Sequence, residues 1–393
     1  MGGPLHGVRV LDFGRYVAGP WAGQLLRGFG ADVIRIERPG GGEDRPLFPL
    51  GAEGIGAYIV HCNRGKRSMT LNPTKPAGRE VVQRLVRGAD VIVANVPDET
   101  LVSLGIDWDT VQALNPRTVL ATVTSYGTTG SYAGRLGFDG IGQAMCGSVH
   151  LSGWPGAPAK TFVPWVDFQT ASLLALGVMG ALVERASSGV GRRVESSLLA
   201  AALGSTGHVI TEEAVLGLDR QATGNRHFAC APSDIVATAD GWVQIQVVGE
   251  AMFGRWAAAI GRPELVGDPH YGSDIERGNR GEELSAIFHD WTRSRSTAEV
   301  LEEMQRAEVP TGPVLSPRQV LGHDHVQATA LTSVAVPGFT EPVTAVTHPV
   351  RFDGAPLDLG DRVAELGEDT DSVLAELGYD ADEIATMRRD RVV

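Results

Sequence analysis

The chain is short of lysine. Of its 34 basic residues only Lys66, Lys75 and Lys160 are lysines, and arginine supplies the rest. No run of basic residues breaks a formal net charge of -13, which excludes an electrostatic grip on nucleic acid as the main function. Cysteine is scarce too. Cys62, Cys146 and Cys230 lie far apart, form no metal-ligand spacing and suit a reducing compartment, so neither a metal site nor a disulfide framework is expected. No stretch reads as about 20 apolar residues in a row, so no membrane span is expected. Met1 to Gly7 lack the charged-then-apolar pattern of a secretory leader. A soluble cytoplasmic protein is the expectation.

What remains is ordinary globular material: 393 residues, 43% hydrophobic and 21% charged, long enough for two or three domains. Val8 to Phe13 reads as a buried strand, Trp21 to Phe29 as a helix closed by Gly30, and Ala31 to Glu37 as a second strand. That is a βαβ unit, which requires a parallel pairing. Further strands at Asp90–Asn95 and Val119–Thr124 make the first part α/β, with a Rossmann-like parallel sheet. The turn Gly14-Arg15-Tyr16-Val17-Ala18-Gly19 is not G-x-G-x-x-G, which argues against a dinucleotide. From about Asn225 the character changes. Ile235–Thr238 and Trp242–Val247 read as a hairpin around Asp240-Gly241, followed by helices to Ala307. The expected organisation is a large domain over 1–205, a linker over 206–228, a smaller α+β domain over 229–325, and a return segment over 326–393. Two short helices in the tail, broken at Gly378-Tyr379, are long enough to return and cover another domain.

One carboxylate stands out. Asp167 lies between a Gly/Pro-rich loop, Gly153 to Pro158, and an apolar helix pattern from about Thr170 to Arg185. An acid there has two readings. It is a favoured N-cap, accepting bonds from the first free N–H groups. The other reading is a nucleophile held in apolar surroundings. Spacing alone favours the cap. Asp139, at the head of another helix pattern, reads as an N-cap, and Arg38, in a loop beyond the carboxyl end of a strand, as a phosphate or adenine contact.

The order of short motifs resembles one family. Gly7 to Phe13, Ala18-Gly19-Pro20 and Gly30 to Gly40 look like the opening of the family III CoA-transferases, the group of formyl-CoA:oxalate and carnitine CoA-transferases. Asn63 to Ser68, Ala89 to Asn95, Gly137-Phe138-Asp139, Gly191 to Glu195, Pro313-Val314-Leu315 and the Leu366 to Tyr379 tail match as well, so the resemblance spans nearly the whole chain. It implies a Rossmann-like large domain built from both chain ends, a small domain between them, and two subunits threaded into an interlocked homodimer. It implies that Asp167 is the catalytic aspartate, passing through an aspartyl anhydride and an aspartyl-CoA thioester. CoA or acyl-CoA is then a substrate, with no permanently bound cofactor.

The implied CoA contacts are Val17, Ala18, Arg38, Leu71, Asn72, Thr74, Lys75, Asn95 and Val96, with Arg135 near the CoA tail. Tyr16 and Arg226 are candidate contacts to the acid. The family often carries Arg or His just before Leu104-Gly105, where this chain has Ser103, so one phosphate contact is missing from the pattern. Val17 replaces a functional Gln, and Ala239-Asp240-Gly241-Trp242 replaces a glycine-rich loop, which disfavours formyl-CoA:oxalate transfer. The context of Asp167 resembles a subgroup acting on small organic acids, including dicarboxylates such as mesaconate. Arg226 would grip the second carboxylate. The alternatives are an α-methylacyl-CoA racemase, which shares the fold but has a His where this chain has Phe138, and a non-catalytic CoA-binding paralogue.

Overall fold

The computed structural model describes residues 3–51 and 54–393. The chain forms two compact units. The first comprises Met1–Cys146, Thr161–Val209 and Asp324–Val393; the second comprises Gly147–Lys160 and Ile210–His323.

The first unit begins β1 (Arg9–Asp12), α1 (Ala18–Gly28), β2 (Asp32–Glu37), α2 (Ala57–Asn63), β3 (Arg67–Thr70), α3 (Pro76–Arg87) and β4 (Val91–Ala94). It continues with α4 (Asp98–Leu104), α5 (Trp108–Leu114), β5 (Val119–Thr124) and α6 (Asp139–Met145). The chain then visits the second unit with α7 (Ser148–Leu151), β6 (Gly153–Trp154) and β7 (Ala157–Pro158). It returns with α8 (Trp165–Ser188), β8 (Arg193–Ser197) and α9 (Leu198–Leu216), the last of which runs on into the second unit.

Six strands pair in parallel in the order β3-β2-β1-β4-β5-β8. Both faces of this sheet are covered, which is why its strands are runs of Val, Ile and Leu. Alternation along each strand sends residues to opposite faces. Val10, Val33, Val91, Val93 and Val119 pack with α1 and α8. Leu11, Ile34, Ile36, Ile92 and Leu120 pack with α3 and with the chain's last residues.

The second unit carries a three-stranded antiparallel sheet of β9 (Ser233–Ala237), β10 (Trp242–Gln246) and, beyond the helices, β11 (Thr311–Pro313). Between β10 and β11 come α10 (Glu250–Ala259), α11 (Asp274–Asn279), α12 (Gly281–Thr292) and α13 (Thr297–Arg306). Its core is aromatic and aliphatic: Val243, Ile245, Phe253, Trp256, Phe288 and Met304 are fully buried.

The tail closes the edge of the large sheet. Asp369 accepts a bond from Ser68 N–H at 2.8 Å, its own N–H reaches Ser68 carbonyl at 2.8 Å, and Thr370 Oγ1 accepts from Thr70 N–H at 3.1 Å. An exposed strand edge is thereby satisfied without a further strand. Val373, Leu374, Ile384 and Met387 then bury their side chains in the sheet's second core.

Local expectations shift in four places. The hairpin turn holds four residues, Thr238 to Gly241, because Ala237 pairs with Trp242. Helix α9 continues through Gly204 and Gly207 to Leu216, well into the stretch expected as a linker, since a helical glycine costs only about 1 kcal/mol relative to alanine. Residues 147–160, assigned by sequence to the large domain, pack with the second unit. Finally α8, with 24 residues, is long and apolar enough to cross a membrane by length and composition, where the sequence reading saw no such stretch. One face of it (Val166, Thr170, Ala171, Leu174, Val178, Ala181) is buried against the sheet and α1, as in a core helix.

Candidate active site

The sheet reverses its direction of build-out at β1, flanked by β2 on one side and β4 on the other. In open parallel sheets the crevice beyond the carboxyl ends at such a point receives ligands. A cleft of about 360 Å³ lies there. Its walls come from the segments that leave four strands: Phe13, Gly14 and Arg15 after β1, Glu37 and Arg38 at β2, Leu71 and Pro73 after β3, and Val96 after β4.

The first of these segments is held rigidly. Asn95 brackets Arg15, accepting its N–H at 2.7 Å and donating to its carbonyl at 2.8 Å. Tyr16 has a left-handed backbone (φ 61°) and donates its N–H to Asp44 at 3.0 Å. A non-glycine residue in that conformation persists only when its surroundings fix it. Gly14 must be glycine, since a Cβ would sit 2.7 Å from both Asp12 and Pro20.

Beneath the turn runs a buried ionic network. Lys66 contacts Asp12 at 2.6 Å, the Pro20 carbonyl at 2.7 Å and Asn63 at 3.0 Å. Arg35 contacts Asn63 and Asp44, each at 2.7 Å, and Glu37 at 3.2 Å. Arg45 closes the network with a forked contact to Glu37 at 2.6 and 2.9 Å. At the rim, two guanidinium groups converge on one acid: Arg15 lies 3.0 Å and Arg38 3.3 Å from Glu43.

Asp167 sits in a different environment. It occupies the first turn of α8, three residues in from an N-cap at Pro164 that offers no side-chain bond. The helix's free N–H groups are taken instead by Asp139, whose Oδ2 accepts from Val166 N–H at 2.8 Å and Asp167 N–H at 3.1 Å. The other oxygen of Asp139 accepts from the Gln143 amide, and Gln143 in turn accepts from Thr161 N–H at 3.0 Å. So the capping acid of α8 is Asp139, 27 residues upstream, and Asp167 is left free for other work. Asp139 was itself expected to cap the helix it heads, yet α6 has its N-cap at Phe138 with no side-chain bond.

Burial pushes the Asp167 carboxyl up from the ordinary carboxylate range to about 7, and the neighbouring charge of Asp139 adds to the rise. Nearby, the His61 ring stacks on Trp21 at 4.7 Å and meets Phe168 edge-on at 5.5 Å. Burial, with Arg64 beside it, pushes His61 down to about 4, so it is a neutral ring at neutral pH. The Tyr58 hydroxyl is raised by burial, then by the charges of Cys62, Asp167 and Asp139.

The sequence and the fold are matched by known proteins. The family profile described as CoA-transferase family III matches residues 5–370. This chain belongs to that family. The transferase is 32% identical over 389 residues to a succinate–glutarate CoA-transferase of Agrobacterium fabrum, covering 95% of this chain and 96% of the relative. It is also 32% identical to a succinyl-CoA–D-citramalate CoA-transferase of Chloroflexus aurantiacus, over 99% of this chain and 98% of that one. The crystal structure of a CAIB/BAIF family protein from Brucella suis superposes with a TM-score of 0.83 at 31% identity, covering 96% and 100% of the two chains. The enzyme therefore moves CoA between an acyl-CoA and a carboxylic acid, and its two-part α/β architecture is that of its family.

The residues singled out from the sequence of this transferase are not gathered in one place. Arg38, Leu71 and Val96 line the cleft. Asn95 braces it from behind, and Tyr16, Val17 and Ala18 lead from its wall into α1, the last two buried. Asn72, Thr74 and Lys75 form the turn into α3. There Asn72 accepts from both Thr74 donors, and the Lys75 ammonium is turned to the Asp390 carbonyl. Arg135 lies outside the cleft lining, its guanidinium 3.8 Å over the Tyr132 ring. Arg226 belongs to the second unit, where it faces Glu282 at 3.7 Å.

Sequence reasoning passed over Arg15, Glu43 and the role of Asp139. Arg15 lies in the same β1–α1 turn as Tyr16, so its signal was position. Nothing local marks Asp139, because its partners are 27 and 28 residues away. Where the family pattern has a basic residue and this chain has Ser103, Arg79 covers the spot: its guanidinium donates to the Val102 carbonyl at 3.2 Å and the Ser103 carbonyl at 2.6 Å.

Proposed function

We propose that Asp167 is the nucleophile of a CoA transfer that proceeds through covalent aspartyl intermediates. One observation carries this reading: Asp167 is a carboxylate in a largely buried setting with no cation drawing its charge down, and the capping duty at its helix is done by another acid. Its oxygen attacks the thioester carbonyl of the donor, a C–O bond forms and the C–S bond breaks, giving a mixed anhydride and CoA thiolate. The thiolate attacks the aspartyl carbonyl, releases the donor's carboxylate and leaves an aspartyl-CoA thioester. The acceptor carboxylate and thiolate then repeat the exchange in reverse. Each step is easier than direct transfer.

The cleft beyond β1–β4 takes the nucleotide end of CoA in this reading. Leu71 and Val96 offer apolar wall to a base, and Arg15 and Arg38 offer guanidinium groups to phosphate once Glu43 gives way. A C4 or C5 dicarboxylic acid is the substrate class, supported by relatives named for succinate, glutarate and citramalate. Arg226 is a candidate for the second carboxylate. The racemase alternative finds no support at Phe138, an exposed phenyl ring that carries no proton. A homodimer accounts for the apolar residues left exposed on α8 and α9 (Leu173, Leu176, Val183, Ile210, Val215 and Leu216). Light scattering on the purified enzyme measures the dimer, and a monomeric mass contradicts it.

The deciding test is mass spectrometry after incubation with succinyl-CoA and a hydroxylamine quench. The expected result is a hydroxamate on Asp167 in the wild type and none in Asp167→Ala. A labelled residue elsewhere, or deuterium exchange at the acyl α-carbon without label, overturns the reading.

A further inference from the structure

We infer that Asp139 is a positioning residue for the transfer, clamping the first turn of α8 and setting a negative charge beside Asp167 so that the covalent state relieves a repulsion. The inference rests on Asp167 being the nucleophile.

The geometry is that of a built clamp. Asp139 is buried, and one of its oxygens takes two successive N–H groups of α8 at 2.8 and 3.1 Å. Its other oxygen is held by Gln143, one turn along α6. Gly142, on the same helix, could not carry a side chain, since a Cβ there would come within 2.9 Å of Val166. Helix α6 and the head of α8 are therefore locked at close approach.

The lock has an electrostatic consequence. The N-terminus of a helix ordinarily favours a carboxylate through its free N–H groups and its dipole. Here Asp139 has consumed Val166 N–H and Asp167 N–H, so that help is directed to the wrong acid for chemistry. The titratable groups of α2 near Asp167 are Tyr58 and Cys62, each coupled to its charge, and His61, whose ring meets the adjacent Phe168. His61 is neutral at neutral pH, and burial raises both Tyr58 and Cys62. No basic side chain contributes to the shift of Asp167, which is raised by burial first and Asp139 second. When Asp167 becomes an anhydride or a thioester, the charge leaves with CoA thiolate or with the donor's carboxylate. Two adjacent acids become one, which favours the acylated enzyme.

The test uses the full-length enzyme, succinyl-CoA and the hydroxylamine quench, recording the rate and yield of Asp167 hydroxamate across pH 5 to 9, with a thermal melt of each variant. In Asp139→Asn the amide oxygen can keep the N–H bonds to α8 while the charge is gone, although its NH2 then faces the Gln143 amide donor and that bond is lost. Its acid limb is expected to move to lower pH by roughly tenfold in proton concentration, while the plateau yield falls. A purely structural lesion would lower the yield at every pH and leave the limb in place. If Asp139→Asn does not fold, Asp139→Glu keeps the charge and displaces the clamp; the expectation is a wild-type limb with a reduced yield. Wild-type enzyme without label removes the nucleophile and this inference together. A labelled wild type with an unmoved limb in Asp139→Asn, or a fully wild-type Asp139→Glu, overturns this inference alone.

Discussion

Two carboxylates of this enzyme, one buried and one partly buried, end at opposite extremes. For Glu37, below the cleft, burial raises the carboxyl, but Arg35 and then Arg45 overcome it and hold the group down at about 2. For Asp167, at the head of α8, burial raises the carboxyl and the only charge of consequence, Asp139, raises it further to about 7. Burial pushes both upward. What differs is the partner: two guanidinium groups reverse the push at Glu37, and at Asp167 a second acid adds to it, which suits the proposed use of Asp167 in chemistry.

The comparison is broken most severely at Asp167. Asp167→Ala is expected to lower kcat by at least about a thousandfold, as loss of a covalent nucleophile does. Steady-state kinetics with succinyl-CoA checks it.

Glu37→Gln should leave the chemistry competent but cost roughly 2 kcal/mol of stability, because Arg45 loses its only ionic partner among the described residues and buried Arg35 keeps Asp44 alone to balance its charge. Urea denaturation at pH 7 measures this. The same method on Asp167→Asn should give the opposite sign, a gain on the order of 2 kcal/mol at pH 8. The sign follows from linkage. The folded protein binds the Asp167 proton more tightly than the unfolded chain does, so the contribution of Asp167 to stability is complete below about 3.8 and is lost as pH rises through about 7. Glu37 runs the other way: its contribution is present above about 4.5 and is lost as pH falls toward 2. Wild type minus Asp167→Asn should therefore diverge between pH 4 and 8, and a flat difference would refute the elevated carboxyl.

The smallest expected effects lie at the rim. Glu43→Gln frees Arg15 and Arg38 and should lower KM for the CoA ester about threefold, less at high salt. Arg226→Ala should raise KM for a dicarboxylic acceptor several-fold while leaving a monocarboxylic one unchanged.

Much of the fold was legible because its signals are local. Val8 to Phe13 and Ala31 to Glu37 alternate between two buried faces and so read as apolar runs, and Gly30 ends the helix between them. The tail's two helices and their Gly378 break were legible from local pattern, whereas its return to the large domain was implied by the family resemblance. Of the proposed site, the sequence singled out Asp167, and local spacing favoured a cap over a nucleophile. The start of α8 shows why: the helix begins at Trp165, ahead of Thr170, so Asp167 lies inside the turn that it was thought to precede. The extension of α9 through Gly204 and Gly207 was missed for a related reason, since glycine reads as a breaker wherever its surroundings are unknown.

The sequence by itself determined the parallel sheet, the family and the identity of the acid to watch, because hydrophobic period and ordered motifs depend on neighbours within a few residues. Only the tertiary structure decided what surrounds that acid. It brought Asp139 across 27 residues to take the cap, and it paired Arg35 and Arg45 with Glu37 while leaving Asp167 without a cation. A carboxylate's charge answers to what lies within a few ångströms, and a linear chain does not say what that will be.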